Sequence, residues 1–196
     1  MVDLYALILC GGQSHRMGID KSLITYYDKP QRYHMDDLAT AFCERGFISL
    51  ATNQKNIVPP PYECIIDSDT YANTGPIGAL LTAMHLYPGK NFLVLACDYP
   101  FLLARDIQQL IYSHPDSSRP TVFYNPETCF AEPLLGIYPH QCLHALEARF
   151  GKKEYSLRHF LKAADARLIV PAALASIRSI DTPEEQAEAL GIINRS

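Results

Sequence analysis

Short apolar runs that each end on glycine, asparagine or aspartate constrain this chain more than any other feature. Leu4 to Leu9 runs through Cys10 into Gly11-Gly12, Phe47 to Ala51 into Thr52-Asn53, Glu63 to Ile66 into Asp67, and Asn91 to Ala96 into Cys97-Asp98. Runs this short and this largely apolar suit strands buried on both faces, as in a parallel sheet. Stretches with helical spacing lie between them. Gln31 to Gly46 places Leu38, Ala41, Phe42 and Arg45 at helical intervals, with Gly46 as its expected stop, and Ile77 to Tyr87 opens behind Gly75-Pro76. Further helices are expected at Ala104 to His114, Gln141 to Phe150, Leu157 to Ala164 and Pro183 to Leu190. Ser22 to Tyr26, Thr121 to Tyr124, Phe130 to Tyr138, Leu168 to Val170 and Ile177 to Ile180 read as extended, with Pro133 at an edge or a bulge. The alternation predicts an α/β fold, a mostly parallel sheet with helices on both faces.

The 196 residues suffice for one sizeable core and show no linker, so one domain over 1–196 is expected. A net charge of −4, from 17 basic and 21 acidic residues, gives no general attraction to nucleic acid or to an anionic membrane. No apolar stretch has the length of a membrane-spanning helix, and Asp3 stands where a secretion signal carries lysine or arginine, so a cytoplasmic location is expected. The six cysteines are scattered without a Cys-x-x-Cys pair, and read as thiols, several of them in the core. His140, Cys142 and His144 come nearest to a metal-ligand spacing but read as a helix start with solvated histidines. Asp36 and Asp37, on a helix, read as solvated.

In a parallel α/β sheet the ligand site lies beyond the carboxyl ends of the strands, where this chain places its polar punctuation. The longest such stretch is Leu9-Cys10-Gly11-Gly12-Gln13-Ser14-His15-Arg16-Met17-Gly18-Ile19-Asp20-Lys21. It is not a P-loop, because Ile19-Asp20 separate Gly18 from Lys21, and the dinucleotide pattern G-x-G-x-x-G is absent. Its residue types still suit phosphate. Gly11 and Gly12 let backbone N–H groups approach closely, Arg16 offers a fork of donors and Lys21 a point charge.

This stretch resembles the signature of the molybdenum cofactor guanylyltransferase (MobA-type) family of nucleotidyltransferases, close to L-A-G-G-x-S-x-R-M-G-x-D-K. Gly75-Pro76-Ile77-Gly78-Ala79-Leu80 is similar to the family's G-P-L-x-G-L, and Cys97-Asp98-Tyr99-Pro100-Phe101-Leu102 to its C-D-x-P-x-[IL]. Glu132-Pro133-Leu134-Leu135-Gly136-Ile137-Tyr138 and Asp181-Thr182-Pro183-Glu184-Glu185 resemble two later segments, the second reading N-T-P-E-E in the family. The matches keep the family's order along nearly the whole chain.

The resemblance implies a Rossmann-like nucleotidyltransferase domain that moves GMP from GTP to molybdopterin and releases pyrophosphate. By position, Leu9, Cys10, Gly11 and Gly12 would contact the nucleotide through backbone, with Asn53 and Asp67 further nucleotide contacts. Lys21 would bind the phosphates with help from Arg16, and Asp98 would hold Mg²⁺. One such carboxylate suffices, since Mg²⁺ completes its shell with water and phosphate. Arg158 and His159 are candidates for the acceptor's phosphate, and Ser156 for a helix cap. GTP, molybdopterin and proteins that deliver or accept the cofactor are the implied partners. This chain departs from the family at Cys10, usually alanine, at His15, at the shortened Gly18-Ile19, and at Gln31-Arg32-Tyr33-His34, which lacks the usual apolar helix entry. The rival readings are a nucleotidyltransferase using CTP with molybdopterin or a sugar or alcohol phosphate, and a non-catalytic nucleotide-binding module. Cytidylyl relatives tend to read L-A-A-G without the D-K pair, so Gly11-Gly12 and Asp20-Lys21 favour guanylyl transfer.

Overall fold

The computed structural model describes residues 3–10, 20–52, 58–115 and 118–195. β1 (Leu4–Leu9) is buried at every position, and β2 (Arg45–Leu50) and β4 (Asn91–Ala96) flank it in parallel. β3 (Cys64–Ile66) extends the sheet beyond β2. On the other side come β6 (Phe130–Tyr138), then β5 (Thr121–Asn125) and β7 (Arg167–Ile169), giving the order β3-β2-β1-β4-β6-β5-β7. Among the described strands of the sheet, only β6 runs antiparallel. Burying each Leu, Ile or Val of the central strands contributes about 2 kcal/mol, which is why these runs take the middle of the sheet.

The helices are α1 (Gln31–Thr40), α2 (Pro76–Leu86), α3 (Ala104–Tyr112), α4 (Leu143–Gly151), α5 (Leu157–Ala163) and α6 (Pro183–Ile193). From β1 the chain steps outward through α1 to β2 and β3, then returns through α2 to β4 on the other side of β1. Right-handed crossovers in opposite directions place α1 and α2 on opposite faces, and α1 touches α3 while α2 touches α4. The reversal between β1 and β4 is the switch point at which such sheets bind ligands.

Four local readings are corrected. α1 ends at Thr40, and Gly46 is not its stop but part of β2, opposite Ala6. The glycine serves close packing: a Cβ there would stand 2.2 Å from Asp36 Oδ1. Asp36 is therefore buried, not solvated. Ser22 to Tyr26 is not a simple extended piece. It begins inside a 3-10 turn, Lys21–Leu23, held by Asp20, which accepts from Ser22 N–H at 3.0 Å. Ile177 to Ile180 is not a strand: a 3-10 turn, Leu174–Ile177, leads into an extended segment whose Ile180 N–H donates to Asp98 O at 2.8 Å. Pro133 lies at a bulge, where pairing to β5 jumps from Val122–Gly136 to Phe123–Glu132.

Candidate functional site

The carboxyl ends of β1 and β4 lie side by side, and the residues that follow them continue the ladder. Cys97 N–H donates to Leu9 O and Cys10 N–H to Ser49 O, both at 3.3 Å, and the Cys10 and Cys97 sulfurs meet at 3.1 Å. Both thiols are buried. Asp98 is the next residue after Cys97. Its Oδ1 is buried and has no hydrogen-bond partner among the described residues.

Lys21 reaches the same place from its 3-10 turn. Its Nζ donates to Asp181 Oδ1 at 2.6 Å and to Ile180 O at 3.0 Å. Two features fix the far side of this clasp. A satellite core of Ile24, Tyr26, Ile180 and Ala189 joins the turn to α6. At the start of α6, Thr182 Oγ1 accepts from Glu185 N–H, and Glu185 Oε2 accepts from the N–H groups of Thr182 and Asp181, a reciprocal cap that sets the backbone of Asp181. The Lys21–Asp181 pair, joined across 160 positions, thus lies within electrostatic reach of the Asp98 carboxyl.

Burial pushes the Asp98 carboxyl up to about 6. Its own backbone N–H and Lys21 pull it down, while Asp181 and Glu132 push it further up. Burial also pushes the neighbouring Tyr26 hydroxyl up to about 12, with the charge of Asp98 adding to the effect. Two carboxylates, one bearing an orphaned oxygen, and a single ammonium form a hard oxygen site with an adjacent cation. That donor set fits Mg²⁺ together with phosphate.

Asp67 stands apart, beyond β3. Its N–H donates to Leu50 O, and Ser49 Oγ donates to its Oδ1 at 3.3 Å. Burial raises its carboxyl above the ordinary value, and the Ser49 hydroxyl opposes this. On the other flank a cleft of about 370 Å³ opens between Pro76 at the start of α2, Pro133 and Leu134 of the β6 bulge, and Tyr155, Arg158 and His159 at the start of α5. The Arg158 guanidinium lies 4.5 Å from the centre of the exposed Phe130 ring, and Ser156 caps α5 by accepting from His159 N–H.

Of the residues singled out in the sequence, Leu9, Cys10, Lys21, Asp67 and Asp98 lie along this one edge. Gly11, Gly12, Arg16 and Asn53 lie outside the described residues. Asp181 was noted only as part of a motif, and its aspartate in place of the family's asparagine was the available signal. His144 is solvent-exposed against Glu147, and no cluster of three or more His, Cys, Asp or Glu able to hold a metal occurs among the described residues. None of the helices so described is long and apolar enough to cross a membrane.

Residues 6–168 match a family model described as the MobA-like NTP transferase domain. The chain is 32% identical over 186 residues to a molybdenum cofactor biosynthesis bifunctional protein of Synechocystis sp., covering 94% of this chain and 53% of the relative, so it spans about half of that protein's length. It is 31% identical over 161 residues to a probable molybdenum cofactor guanylyltransferase of Flavobacterium johnsoniae, covering 82% of each chain. A crystal structure of molybdopterin-guanine dinucleotide biosynthesis protein A from Archaeoglobus fulgidus has the same fold, with a TM-score of 0.79 over 98% of this chain and all of that one, at 17% identity.

Proposed function

Because the chain belongs to the MobA-like NTP transferase family, we propose that it transfers GMP from GTP to the terminal phosphate of molybdopterin, forming molybdopterin guanine dinucleotide and pyrophosphate. The observation that carries this reading is the orphaned Oδ1 of Asp98, within electrostatic reach of the Lys21–Asp181 pair, just beyond the paired carboxyl ends of β1 and β4.

An oxygen of the acceptor phosphate attacks the α-phosphorus of GTP. A new P–O bond forms, the bond to the bridging α–β oxygen breaks, and pyrophosphate leaves with that electron pair. The acceptor is already ionised, so no side chain has to take its proton. The barrier is mainly the meeting of anions, and fixed positive charge lowers it. Lys21 exchanges its ion pair with Asp181 for the phosphates. Asp98 would hold Mg²⁺ with Asp181 in electrostatic reach, and the ion when bound supplies charge neutralisation at the α-phosphoryl group. As a carboxylate, Asp67 accepts from the N–H edge of guanine, an edge that adenine lacks. The cleft lined by Pro133, Tyr155 and Arg158 suits the flat pterin and its phosphate.

Nucleotide competition tests the assignment. With molybdopterin supplied, unlabelled GTP suppresses turnover of labelled GTP, while CTP and ATP do so at least about tenfold less well, the discrimination expected when buried polar groups read a base edge. Equal turnover with CTP would overturn the guanylyl reading.

A further inference from the structure

The roles given to Lys21, Asp67, Asp98 and Asp181 leave the polar helix entry Gln31-Arg32-Tyr33-His34 unused. In the fold it is the first turn of α1, at the same edge of the sheet as the site. α1 runs toward the opposite edge, where the N–H of Glu44, just beyond its end, meets Leu4 O. The first turn is tied across to the Asp98 segment: His34 stacks on Tyr27 at 4.2 Å, and Tyr27 OH donates to Pro100 O at 2.8 Å.

Gln31 is fully buried, and neither of its side-chain amide atoms has a hydrogen-bond partner among the described residues. Arg32 is only 4% exposed. Its Nη2 donates to Tyr33 OH at 2.6 Å, and its guanidinium lies 4.7 Å from the centre of the Tyr33 ring, which in turn stacks on Tyr62. Its Nε and Nη1 have no partner among the described residues. Arginine does not shed its proton, so this is a buried charge that lacks a counter-charge.

The carboxylates nearby do not supply one. Asp36 follows one turn later on α1, but burial pushes its carboxyl up to about 6, with Asp37 and Glu63 adding to the rise. A guanidinium paired with it would pull it down. Asp37 is taken by Lys29 and Tyr62, and Asp20 by Ser22. The segments that follow β1 and β2, residues 11–19 and 53–57, contain no aspartate or glutamate. Asp36 packs over Gly46 at the start of β2, so residue 32, one turn earlier on the same stripe, lies toward the carboxyl half of β2. Backbone donors of this turn are largely used: Gln31 N–H donates to Ile24 O, and Tyr33 and His34 N–H to Pro30 O. The side chains therefore carry the recognition, assisted by the positive end of the helix.

We propose that the first turn of α1 is an oxyanion-binding site, in which Arg32 and Gln31 hold a phosphate-class anion on the β2 side of the nucleotide site. The anion is either free phosphate or a phosphate group of the nucleotide. The proposal does not depend on which nucleotide is transferred or on the acceptor.

Thermal melting at constant ionic strength tests it in a Lys21→Met background, which removes the lysine assigned to phosphate and leaves Arg16 the same in every protein compared. Inorganic phosphate, or GTP if the nucleotide is the source, raises the melting temperature of that protein. Adding Arg32→Met weakens the apparent affinity behind this rise at least about tenfold, as expected for losing charge-assisted hydrogen bonds. Arg32→Lys restores part of it. Without anion, Arg32→Met melts no lower than its parent, because it removes an unpaired buried charge. A response to inorganic phosphate identifies a free-anion site, and one confined to GTP identifies the nucleotide's own phosphates. No anion response in Lys21→Met, or a response equally strong after Arg32→Met, would overturn the proposal.

Discussion

The two edges of the sheet treat their charges in opposite ways. At the edge where the strands begin, Lys90 pairs with Asp3 and Glu44, and Arg45 pairs with Glu63. Each of these groups sits just before or at the start of a strand, exposed or half-buried, with a partner of opposite sign. At the edge where the strands end, Asp98 Oδ1, both amide atoms of Gln31 and two nitrogens of Arg32 are buried without partners among the described residues. Leaving such groups unpaired costs stability. Asp36 Oδ1, over the start of β2, is likewise unpartnered among the described residues, so the contrast lies between the exposed ion pairs of the first edge and the several open groups gathered at the second, where a ligand can meet them.

Replacing Asp98 by alanine should break that asymmetry most severely. Turnover falls by about 10²-fold or more, as expected on losing a group that positions charge at the reacting phosphoryl. The melting temperature at pH 7.5 does not fall, because the lost group is a buried carboxylate. Full activity in this variant would remove the functional meaning of the open edge.

A pH series sharpens the contrast at smaller scale. Asp98 and Asp36 both titrate near 6 in the folded chain, above an ordinary value of 3.8, and burial is the first cause in each. A raised folded value means that the stabilisation is complete below about pH 4 and is lost as pH rises through 6. The melting temperature should therefore decline from pH 5 to pH 7.5, and Asp36→Asn should flatten that decline by about half, the two shifts being similar. A profile unchanged by Asp36→Asn would mean that this carboxyl is not buried as described.

The smallest effect belongs to the paired edge. Lys90→Met should leave turnover within about twofold and shift melting only slightly, since exposed ion pairs are screened and entropically costly. A loss of activity comparable to that of Asp98→Ala would show that both edges serve the reaction.

The central sheet was legible in the sequence because its strands are predominantly apolar. Asn91 to Ala96 forms β4 with the expected bounds. Asp67 and Asp98 were legible because each terminates such a run. Gly46 was misread because a glycine after a helical pattern is ordinarily a stop, whereas here it yields space to Asp36, a contact between elements that no local pattern encodes. The clasp of Lys21 on Asp181 was hidden for the same reason: the two residues lie 160 positions apart. Gln31 and Arg32 could be seen only as a departure from the family pattern, since burial without a partner is a property of the folded chain.

The most direct measurement is pyrophosphate release from GTP by wild-type protein, with molybdopterin and Mg²⁺ each supplied or withheld. Release is predicted only when both are present, with loss on chelation and recovery on adding Mg²⁺ back. Release at the same rate without molybdopterin, or undiminished after chelation, would contradict the account.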